Sequence, residues 1–398
     1  MKTYPRLGLD VQWPDLIGGF VGGSQSRLEL EGAIASHWPP SRSLQVTLSV
    51  RTAFDLLLQA LDFPPGTGVL MSGVNVRHMV EIVEFHGLVP IPVDLDLDTL
   101  APNLDHFRRL ISPQTRLFVM AHLFGSIIPL APYIDLCRQH QIILVEDCAQ
   151  AFAQSYYLGD EQVEVSLFSF GPIKTCTALG GGVAIVRDYA LANKMREIGD
   201  RYPLKGDRWY RQRLIKYLAI KAICDPYLYN ALVRSIQLLG KDVDREIGSS
   251  ARGFRAGELI PQLRQKPPQL LLQFLAHRLQ TCPSYGDRIL RAKRLLSQLD
   301  SSVIWPGYRA TQHSFWVVPI QTPSPKLWMK TLRDSGFDAT QGNTSLIAIR
   351  TPEGSPLPHA QELIQTLLYL PISPALPASE EQRLIQLINS LIAIGNRQ

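Results

Sequence analysis

The chain has 398 residues and a formal net charge of +5, with 45% hydrophobic and 19% charged residues. This length allows two or three domains with a large core, and the absence of basic blocks argues against nucleic-acid binding. The five cysteines form no CxxC pair and have no histidine at zinc spacing, so we expect no metal site and no disulfide framework. The sequence has no signal-peptide core and no run of 18 apolar residues, which predicts a cytoplasmic protein.

Residues 1–27 are expected to be irregular, and the region up to residue 198 then alternates between short apolar runs and amphipathic segments. Short apolar runs bounded by Gly and Pro are typical of buried strands. Their alternation with helices of about ten residues predicts an α/β fold with a mostly parallel sheet. The predicted helices are 27–36, 52–61, 76–86, 103–111, 130–139 and 189–198, and the predicted strands are 45–50, 69–72, 88–93, 116–121, 142–145, 166–170 and 183–186.

The helix predicted to start near Thr52 can be capped by Ser49 or by Thr52 itself. The free N–H groups and the dipole of such a helix start favour an anion. An ordinary capped helix would have the same pattern, so the anion site is one of two interpretations.

Residues 205–247 interrupt the alternation with a segment that is apolar and basic together. Six Lys or Arg residues occur from Arg208 to Arg234, and Asp225 is the only acid in that stretch. Two interpretations stay open for this helical insertion. It forms surface helices packed on the body of the protein or on a partner subunit, or it makes a peripheral contact with an anionic membrane through residues 208–240.

The C-terminal part is predicted to be a smaller α+β unit. A long helix is expected within 265–300 after Pro268, and a Ser379-x-x-Gln382 capping box predicts the start of the last helix. We therefore expect a large α/β domain over residues 1–250 and a small α+β domain over residues 251–398. The other predicted elements of the small domain are a helix at 326–335, the last helix at 379–394, and strands at 303–305, 315–320 and 345–349.

The stretch 142–188 places polar groups at the ends of predicted strands. Asp147 ends one strand, Ser169 lies at the end of the next, and Lys174 follows five residues later. Ligands of open α/β sheets bind beyond the strand ends, so these residues are site candidates. An acid, a hydroxyl and a lysine in this order suit pyridoxal phosphate. The amine can form a Schiff base, the acid can pair with the pyridine nitrogen, and the hydroxyl and nearby N–H groups can hold the phosphate.

This stretch resembles the DegT/DnrJ/EryC1/StrS aminotransferase family of fold-type I pyridoxal-phosphate enzymes. The chain reads EDCAQ, FSFGPIK and GGGV where the family reads EDAAQ, FSFYPTKN and GxGG. The resemblance implies a large domain with a mostly parallel, seven-stranded type of sheet between helices. It also implies that Asp147 binds the pyridine nitrogen, Gln150 lies against the cofactor, Ser169 binds the phosphate and Lys174 is the Schiff-base lysine. Further matching segments are 27–35, 92–96, 122–125, 253–262 and 369–377.

Three positions depart from the family pattern. The family has Ser-Gly-Thr at the helix that receives the phosphate, whereas this chain has Val-Arg-Thr, in which Arg51 and Thr52 remain candidates to bind that phosphate. Residues 72–78 include no aromatic side chain where the family usually supplies a stacking ring. Gly253 stands ahead of Arg255 where the family has an Asn from the partner subunit.

The resemblance implies a homodimeric, pyridoxal-phosphate-dependent aminotransferase. It would move an amino group from an amino acid such as glutamate to the keto group of a nucleotide-linked sugar, in polysaccharide or glycan biosynthesis, with Lys174 acting as base and acid. The three departures leave two alternatives open. One is a non-catalytic or regulatory relative with weakened cofactor binding, and the other is a different reaction on the same cofactor.

Overall fold

A seven-stranded sheet forms the centre of the protein. The computed structural model describes residues 2–6, 8–153, 156–250, 259–342, 346–355, 357–372 and 376–395. The strands of the central sheet follow the order β1-β9-β8-β7-β5-β2-β4. The strands of the described residues are β1 (Ser43–Thr47), β2 (Gly68–Ser72), β3 (Val74–Val76), β4 (Val89–Val93), β5 (Thr115–Ala121), β6 (Ser126–Ile127), β7 (Ile143–Asp147), β8 (Val165–Ser169), β9 (Gly182–Val186), β10 (Gln312–His313), β11 (Pro319–Gln321), β12 (Leu346–Ala348) and β13 (Leu367–Tyr369).

Helices cover both faces of this sheet and build the C-terminal part. They are α1 (Trp13–Gly18), α2 (Arg27–Ala35), α3 (Val50–Leu61), α4 (Arg77–Phe85), α5 (Leu104–Leu110), α6 (Ala131–Gln139), α7 (Tyr189–Asp200), α8 (Asp207–Ile223), α9 (Pro226–Leu238), α10 (Val243–Ser250), α11 (Leu259–Leu263), α12 (Gln269–Thr281), α13 (Gly286–Ser297), α14 (Pro325–Asp334), α15 (Pro358–Thr366) and α16 (Ala378–Gly395).

The sheet is mostly parallel, as the sequence predicts. Strands β4, β2, β5, β7 and β8 run parallel, whereas β9 pairs antiparallel with both β8 and β1. The successive residues of each strand point to opposite faces of the sheet. One face packs on α3, α4 and α7. The other face packs on two groups of helices, α5 with α6 and α2 with α8 and α12. Burial on both faces explains why these strands are continuous apolar runs in the sequence.

A separate hydrophobic core lies in the C-terminal part of the chain. Residues of α13, α14 and α16 pack there around Ile320 and Leu368 of the antiparallel pair β11–β13, together with Tyr4 from the N-terminus. This core has the α+β character that the sequence predicts. Residues 251–258 lie outside the described residues. They include the residue after the expected domain boundary and most of the matching segment 253–262. The division into 1–250 and 251–398 therefore stays a prediction.

The helical insertion at 205–247 forms α8, α9 and α10, and these helices pack on the body of the protein. Tyr210, Leu214 and Tyr217 of α8 are buried in one core with residues of α2 and α12. In α9, the Tyr229 hydroxyl donates to Asp338 at 2.5 Å, and Asp338 belongs to the C-terminal core region. The insertion thus touches both the large sheet-bearing part and the C-terminal part. Among the described residues, no helix is long and apolar enough to cross a membrane.

Most predicted elements occur within a few residues of their expected positions, but the long helix expected at 265–300 is wrong. Two helices, α12 and α13, occupy this region, with Pro283 between them. Proline lacks an N–H group and disfavours helical conformation in the residue before it, so one continuous helix cannot form. Helices α1, α11 and α15 have no counterpart among the predicted elements.

Two predicted strands of the C-terminal part are also incorrect in extent. Residues 303–305 form no strand, and only the backbone oxygen of Ile304 is bonded to β11, from the N–H of Gln321 at 2.8 Å. The strand expected at 315–320 is reduced to β11, because Phe315 has a φ of 49° and a left-handed residue interrupts an extended run. The capping box at Ser379 is wrong as well, since α16 begins at Ala378 and encloses Ser379.

Candidate active site

Neighbouring strand ends bring the predicted acid and hydroxyl to one edge of the sheet. Asp147 is the last residue of β7, and Ser169 is the last residue of the adjacent strand β8. Asp147 is 7% exposed and Ser169 is half-buried. Carboxyl ends of parallel strands lie at the same edge of a sheet, which is where ligands of α/β proteins bind. The structure therefore brings these two predicted residues together.

The N-terminus of α3 meets this edge at Gly182. Gly182 is paired with Ser169 across β8 and β9, and a Cβ built on Gly182 would lie 2.5 Å from the backbone of Ser49 and Val50. Only glycine permits this approach. The first turn of α3 carries Arg51 and Thr52, so the close contact sets the helix start beside Ser169. A helix N-terminus and a hydroxyl at one place form a suitable site for an anion.

Lys174 lies in the turn that follows β8. Its N–H donates to the carbonyl oxygen of Gly171 at 3.0 Å, and a Cβ on Gly171 would lie 3.6 Å from Ser169 Oγ and 3.9 Å from Lys174 Cγ. Burial lowers the pKa of Lys174 to about 7; the charge of Asp147 opposes this change and that of Arg51 adds to it. At neutral pH a large fraction of this amine is therefore uncharged and nucleophilic.

The carboxyl group of Asp147 is under opposing influences. Burial raises its pKa above the ordinary value and outweighs the Ala149 N–H, which donates to Oδ1 at 2.9 Å, and the charges of Lys174 and Arg51, which lower it. For Arg51, burial lowers the pKa to about 10, against the charges of Asp147 and Glu81. Asp147, Lys174 and Arg51 are thus within electrostatic reach of one another, as the predicted cofactor site requires.

Gln150 and Thr52 make hydrogen bonds that the sequence did not predict. Gln150 Oε1 accepts the N–H of Phe124 at 2.7 Å and so holds the turn at Leu123–Gly125, in which Phe124 has a φ of 60°. The Thr52 hydroxyl donates to the carbonyl oxygen of Leu263 at 3.1 Å, and Ser49 provides the N-cap of α3 by accepting from the Thr52 N–H at 3.2 Å. The Thr52 hydroxyl proton therefore points to the backbone of α11.

A buried hydrogen-bond network lies directly behind Asp147. Glu146 is 0% exposed and accepts four hydrogen bonds: from Ser166 Oγ at 2.5 Å, the Asp160 N–H at 2.7 Å, the Tyr157 hydroxyl at 2.6 Å and His122 Nε2 at 3.1 Å. His122 Nδ1 accepts from the Ile128 N–H at 3.1 Å, which leaves Nε2 as the donor to Glu146.

Possible ligand atoms of His122, Glu146 and Cys148 lie within 4.8 Å of one another. Both oxygens of Glu146 and both nitrogens of His122 already take part in hydrogen bonds. These residues therefore form a hydrogen-bond network. The expectation that the protein has no metal site stays a prediction.

Side chains from distant parts of the chain hold the loop that follows Lys174. The Tyr210 hydroxyl of α8 donates to the carbonyl oxygen of Ala178 at 2.8 Å, and Arg213 Nε donates to that of Leu179. Arg278 Nε of α12 donates to the carbonyl oxygen of Thr177 at 3.2 Å, and the Cys176 N–H donates to Asp10 at 2.7 Å. The helical insertion thus contributes directly to the surroundings of the predicted Schiff-base lysine.

An aromatic side chain lies against Lys174, although none was found at the usual position after β2. The Trp316 ring centroid is 4.0 Å from Lys174 Nζ. Residues 74–76 instead form β3, which pairs with β12 and buries Asn75 at 1% exposure. Trp316 is 142 residues from Lys174 in the sequence, and no local motif could have linked the two. The position of Gly253 and Arg255 lies outside the described residues.

Part of the sequence is similar to known aminotransferases. Residues 20–214 match the model of the DegT/DnrJ/EryC1/StrS aminotransferase family. A GDP-perosamine synthase of Caulobacter vibrioides is 28% identical over 201 residues, which cover 49% of this chain and 51% of that protein. A GDP-perosamine synthase of Escherichia coli is 28% identical over 197 residues, covering 48% and 52%. The chain thus matches about half the length of these curated relatives.

Solved structures match the fold over nearly the whole chain. The aminotransferase TlmJ of Streptoalloteichus hindustanus has a TM-score of 0.72 at 18% identity, covering 98% of this chain and 99% of that one. Helicobacter pylori PseC, an aminotransferase of pseudoaminic acid biosynthesis, has a TM-score of 0.71 at 15% identity with the same coverage. The α/β fold of these aminotransferases is therefore confirmed for this chain. The match over residues 20–214, just under half of the chain, confirms the resemblance to the DegT/DnrJ/EryC1/StrS aminotransferase family that the motifs show.

Proposed function

We propose that this protein is a pyridoxal-phosphate-dependent aminotransferase. It would move an amino group from an amino acid such as glutamate to the keto group of a nucleotide-linked sugar, in the biosynthesis of a polysaccharide or glycan. The observation that carries the proposal is Lys174, an amine with a pKa lowered to about 7 and within electrostatic reach of Asp147. The match to an aminotransferase family and the names of the two relatives support the substrate class.

The residues of the site fit this cofactor in three respects. Lys174 provides a nucleophilic amine for the covalent link to the cofactor aldehyde, and Asp147 provides a buried carboxylate for the pyridine nitrogen. Ser169 and the N-terminus of α3, with Arg51, provide donors and positive charge for a phosphate, whereas both donors of Thr52 are already bonded to Leu263 and Ser49. When bound, pyridoxal phosphate supplies an electron sink for the carbanion formed at the substrate α-carbon.

Lys174 would carry the proton transfers of the reaction. With a pKa of about 7, the amine is a base at neutral pH and, once protonated, an acid of matching strength. It can therefore take the proton from the α-carbon of the amino donor and release it at a second carbon.

Asp147 and Gln150 would orient the reacting groups. The Ala149 N–H bonded to Asp147 Oδ1 fixes the carboxyl group, and the nearby charges of Lys174 and Arg51 oppose the burial that raises its pKa. Gln150 holds the Leu123–Gly125 turn through the Phe124 N–H, so this residue supports the wall of the site beside the cofactor.

Cofactor capture by Lys174 tests the proposal directly. Purified protein mixed with pyridoxal phosphate should become yellow, and borohydride should fix the cofactor on Lys174, as peptide mass spectrometry would detect. Glutamate should then discharge the yellow band in a half-reaction. Lys174→Ala should abolish the adduct, whereas Lys194→Ala, at an exposed position of α7, should leave it unchanged. An adduct of equal yield in the Lys174→Ala protein would refute the proposal.

Two alternatives to this function stay open, because the residues expected to bind the cofactor phosphate depart from the family pattern. The Thr52 hydroxyl donates to the Leu263 carbonyl, and Arg51 occupies the place of a small residue of the family pattern. A regulatory relative with weakened cofactor binding would form no borohydride adduct at micromolar cofactor. A different reaction on the same cofactor would give the adduct but no half-reaction with any amino acid tested.

We further propose that two copies of the chain form a homodimer. Large apolar side chains near the N-terminus, Ile17, Val21 and Leu28, are 62%, 75% and 80% exposed, and a partner subunit would cover such residues. Light scattering coupled to size-exclusion chromatography should give twice the 44.5 kDa mass of the chain. A mass of one chain at micromolar concentration would contradict the dimer.

We also propose that the exposed side of the helical insertion makes a peripheral contact with an anionic membrane. On α8, Ile215 is 59% exposed and is flanked by the exposed Arg211 and Lys216, and at the end of α9 Leu238 is 88% exposed. Apolar groups between basic ones suit the surface of an anionic bilayer. The fraction of protein that sediments with phosphatidylglycerol vesicles should fall as salt is added, and it should be lower for Ile215→Ser than for the wild type. A wild-type protein that does not bind the vesicles at low salt would exclude the contact.

A further inference from the structure

Trp316 has two contacts with the turn that carries Lys174. Its ring centroid lies 4.0 Å from Lys174 Nζ, the distance of a close cation–π contact. Its indole Nε1–H donates to the backbone carbonyl oxygen of Ile173 at 2.8 Å. The half-buried indole is thus bonded to one residue of the turn and covers the amine of the next one.

Backbone contacts with the large part of the protein fix the position of Trp316. Strand β10, just before it, pairs with β6, and the Ser314 N–H donates to the carbonyl oxygen of Gly125 at 2.7 Å. Gly125 has a φ of 104°, and a Cβ there would lie 2.7 Å from the Trp316 backbone nitrogen. The segment that carries Trp316 is therefore seated on the turn that Gln150 also holds. The approach of the two backbones, and not a flexible side chain alone, brings the indole to Lys174.

The surroundings of the amine show what the ring contributes. The face of an indole attracts an ammonium group and so favours the protonated amine, as does the carboxylate of Asp147. Burial favours the neutral amine, and Arg51, on α3, acts in the same direction. The pKa of about 7 means that burial prevails. A large ring 4.0 Å from Nζ displaces water that would otherwise solvate the ammonium form, so the ring is part of that burial.

We propose that Trp316 is a positioning residue for Lys174, whose indole shields the amine from water and holds the turn at Ile173 in place. This inference rests on the proposed role of Lys174 as the reactive amine. It assigns to Trp316 an aromatic contact with the reactive centre in a chain that has no aromatic residue at 72–78. Because Trp316 comes from the C-terminal part, Lys174 acquires its final surroundings only when that part is docked on the sheet.

Competitive labelling of the cofactor-free protein tests this role. Acetic anhydride reacts with neutral amines, so the extent of labelling of Lys174 across pH, measured by peptide mass spectrometry, gives the midpoint of its titration. In the wild type this midpoint should lie near 7. Trp316→Ala admits water to the amine, and its midpoint should rise by about one pH unit or more, towards the value of an exposed lysine. An unchanged midpoint in the folded Ala variant would overturn the proposal.

Two further variants complete the design. If Trp316→Ala does not fold, Trp316→Gln retains much of the side-chain volume but brings a hydrated amide, and the same rise is expected; an unchanged midpoint again overturns the proposal. Trp13→Ala is the matched control, because Trp13 is 44% exposed and has Lys221, not Lys174, over its ring at 5.6 Å. A Trp13→Ala midpoint that rises as much as that of Trp316→Ala would overturn the assignment to Trp316.

The labelling result is independent of the cofactor. If Lys174 fails to capture pyridoxal phosphate but its midpoint still depends on Trp316, the proposed function fails and this inference stands. If capture succeeds and the midpoint is the same in all variants, the inference fails and the proposed function stands.

Discussion

Arg278 donates from Nε to the carbonyl oxygen of Thr177 at 3.2 Å, three residues beyond Lys174. The guanidinium is 1% exposed, and its other nitrogens donate to Asp15 at 2.8 Å and to the carbonyl oxygen of Asp10 at 2.6 Å. One side chain of α12 thus joins the loop after the predicted Schiff-base lysine to the N-terminal segment. Because all three acceptors lose a donor together if Arg278 is removed, this residue is a sensitive point of the structure.

Arg278→Met should therefore destabilise the protein by about 3 kcal/mol, since it leaves buried acceptors without partners. The free energy of unfolding from urea titrations measures the effect, with an unchanged m value as evidence for the same native state. Arg294→Met is the matched control. Arg294 is 60% exposed and bonds Glu381 at 3.2 Å, so its loss should cost less than about 1 kcal/mol. Equal losses for the two variants would contradict the role given to Arg278.

Two buried tyrosines of α8 provide a comparison that isolates one hydrogen bond. The Tyr210 hydroxyl donates to the carbonyl oxygen of Ala178 at 2.8 Å, whereas no group among the described residues hydrogen-bonds the buried hydroxyl of Tyr217. Tyr210→Phe should cost about 1–2 kcal/mol of unfolding free energy, and Tyr217→Phe should be neutral or stabilising. Urea denaturation of both variants measures these free energies of unfolding. A Tyr217→Phe loss as large as that of Tyr210→Phe would show that the two hydroxyls have equivalent surroundings.

The fold of the large part could be predicted from local patterns. Strands buried on both faces leave continuous apolar runs, and the turns between them contain Gly and Pro, so β2, β5, β7 and β9 are visible in the sequence. The C-terminal part was predicted less well, because its short strands depend on tertiary contacts. The apolar run 303–305 is strand-like in composition, yet a single backbone bond from Gln321 replaces a ladder there.

The site was predictable where its residues lie in one motif. Asp147, Ser169 and Lys174 are close in sequence and lie at adjacent strand ends, and the structure brings them together. Trp316 and Arg278 are more than 100 residues away from Lys174 and are brought to it by the docking of other elements. The sequence contains no local signal for such contacts. Homologous sequences that vary together could have revealed them, but a single sequence cannot.

The buried carboxylate of Glu146 should make stability depend on pH in the acid range. Burial would raise its pKa, but the hydrogen bonds from His122, Ser166 and Tyr157 lower it below its ordinary value. A depressed pKa contributes stability that is present above the unfolded-state pKa and is lost as pH falls through the folded-state pKa. The wild-type protein should therefore lose stability below about pH 4.5 through this group.

Glu146→Gln removes this dependence and places an amide among four donors. We expect a loss of about 2–4 kcal/mol at pH 7, because the amide nitrogen cannot accept their hydrogen bonds. The difference between the variant and the wild type should shrink as pH falls below 4.5, in urea titrations at several pH values. Glu161→Gln, at an exposed position, should change stability by less than about 0.5 kcal/mol. A Glu146→Gln difference that is constant with pH would contradict a depressed pKa.

The amine of Lys174 should also make stability rise with pH, in a higher range, because burial disfavours its charged form. Its pKa is about 7 in the folded protein and is expected near 10.5 in the unfolded chain, so between these values the unfolded chain binds more protons. Stability therefore rises with pH from about 7 to about 10.5, and the cost of burying the lysine is largest at pH 7 and below. Lys174→Met removes that cost. Because Lys174 is half-buried, solvent screening limits the gain to about 1–2 kcal/mol.

Urea titrations of the cofactor-free Lys174→Met protein should thus give a higher free energy of unfolding than the wild type at pH 7 and nearly the same value at pH 10. Lys194→Met, at an exposed position of α7, should follow the wild type at both pH values. A Lys174→Met curve parallel to that of the wild type across this range would mean that the amine titrates as an ordinary surface lysine. Such an amine would be almost fully protonated at neutral pH, and it would be a poor nucleophile for the cofactor aldehyde.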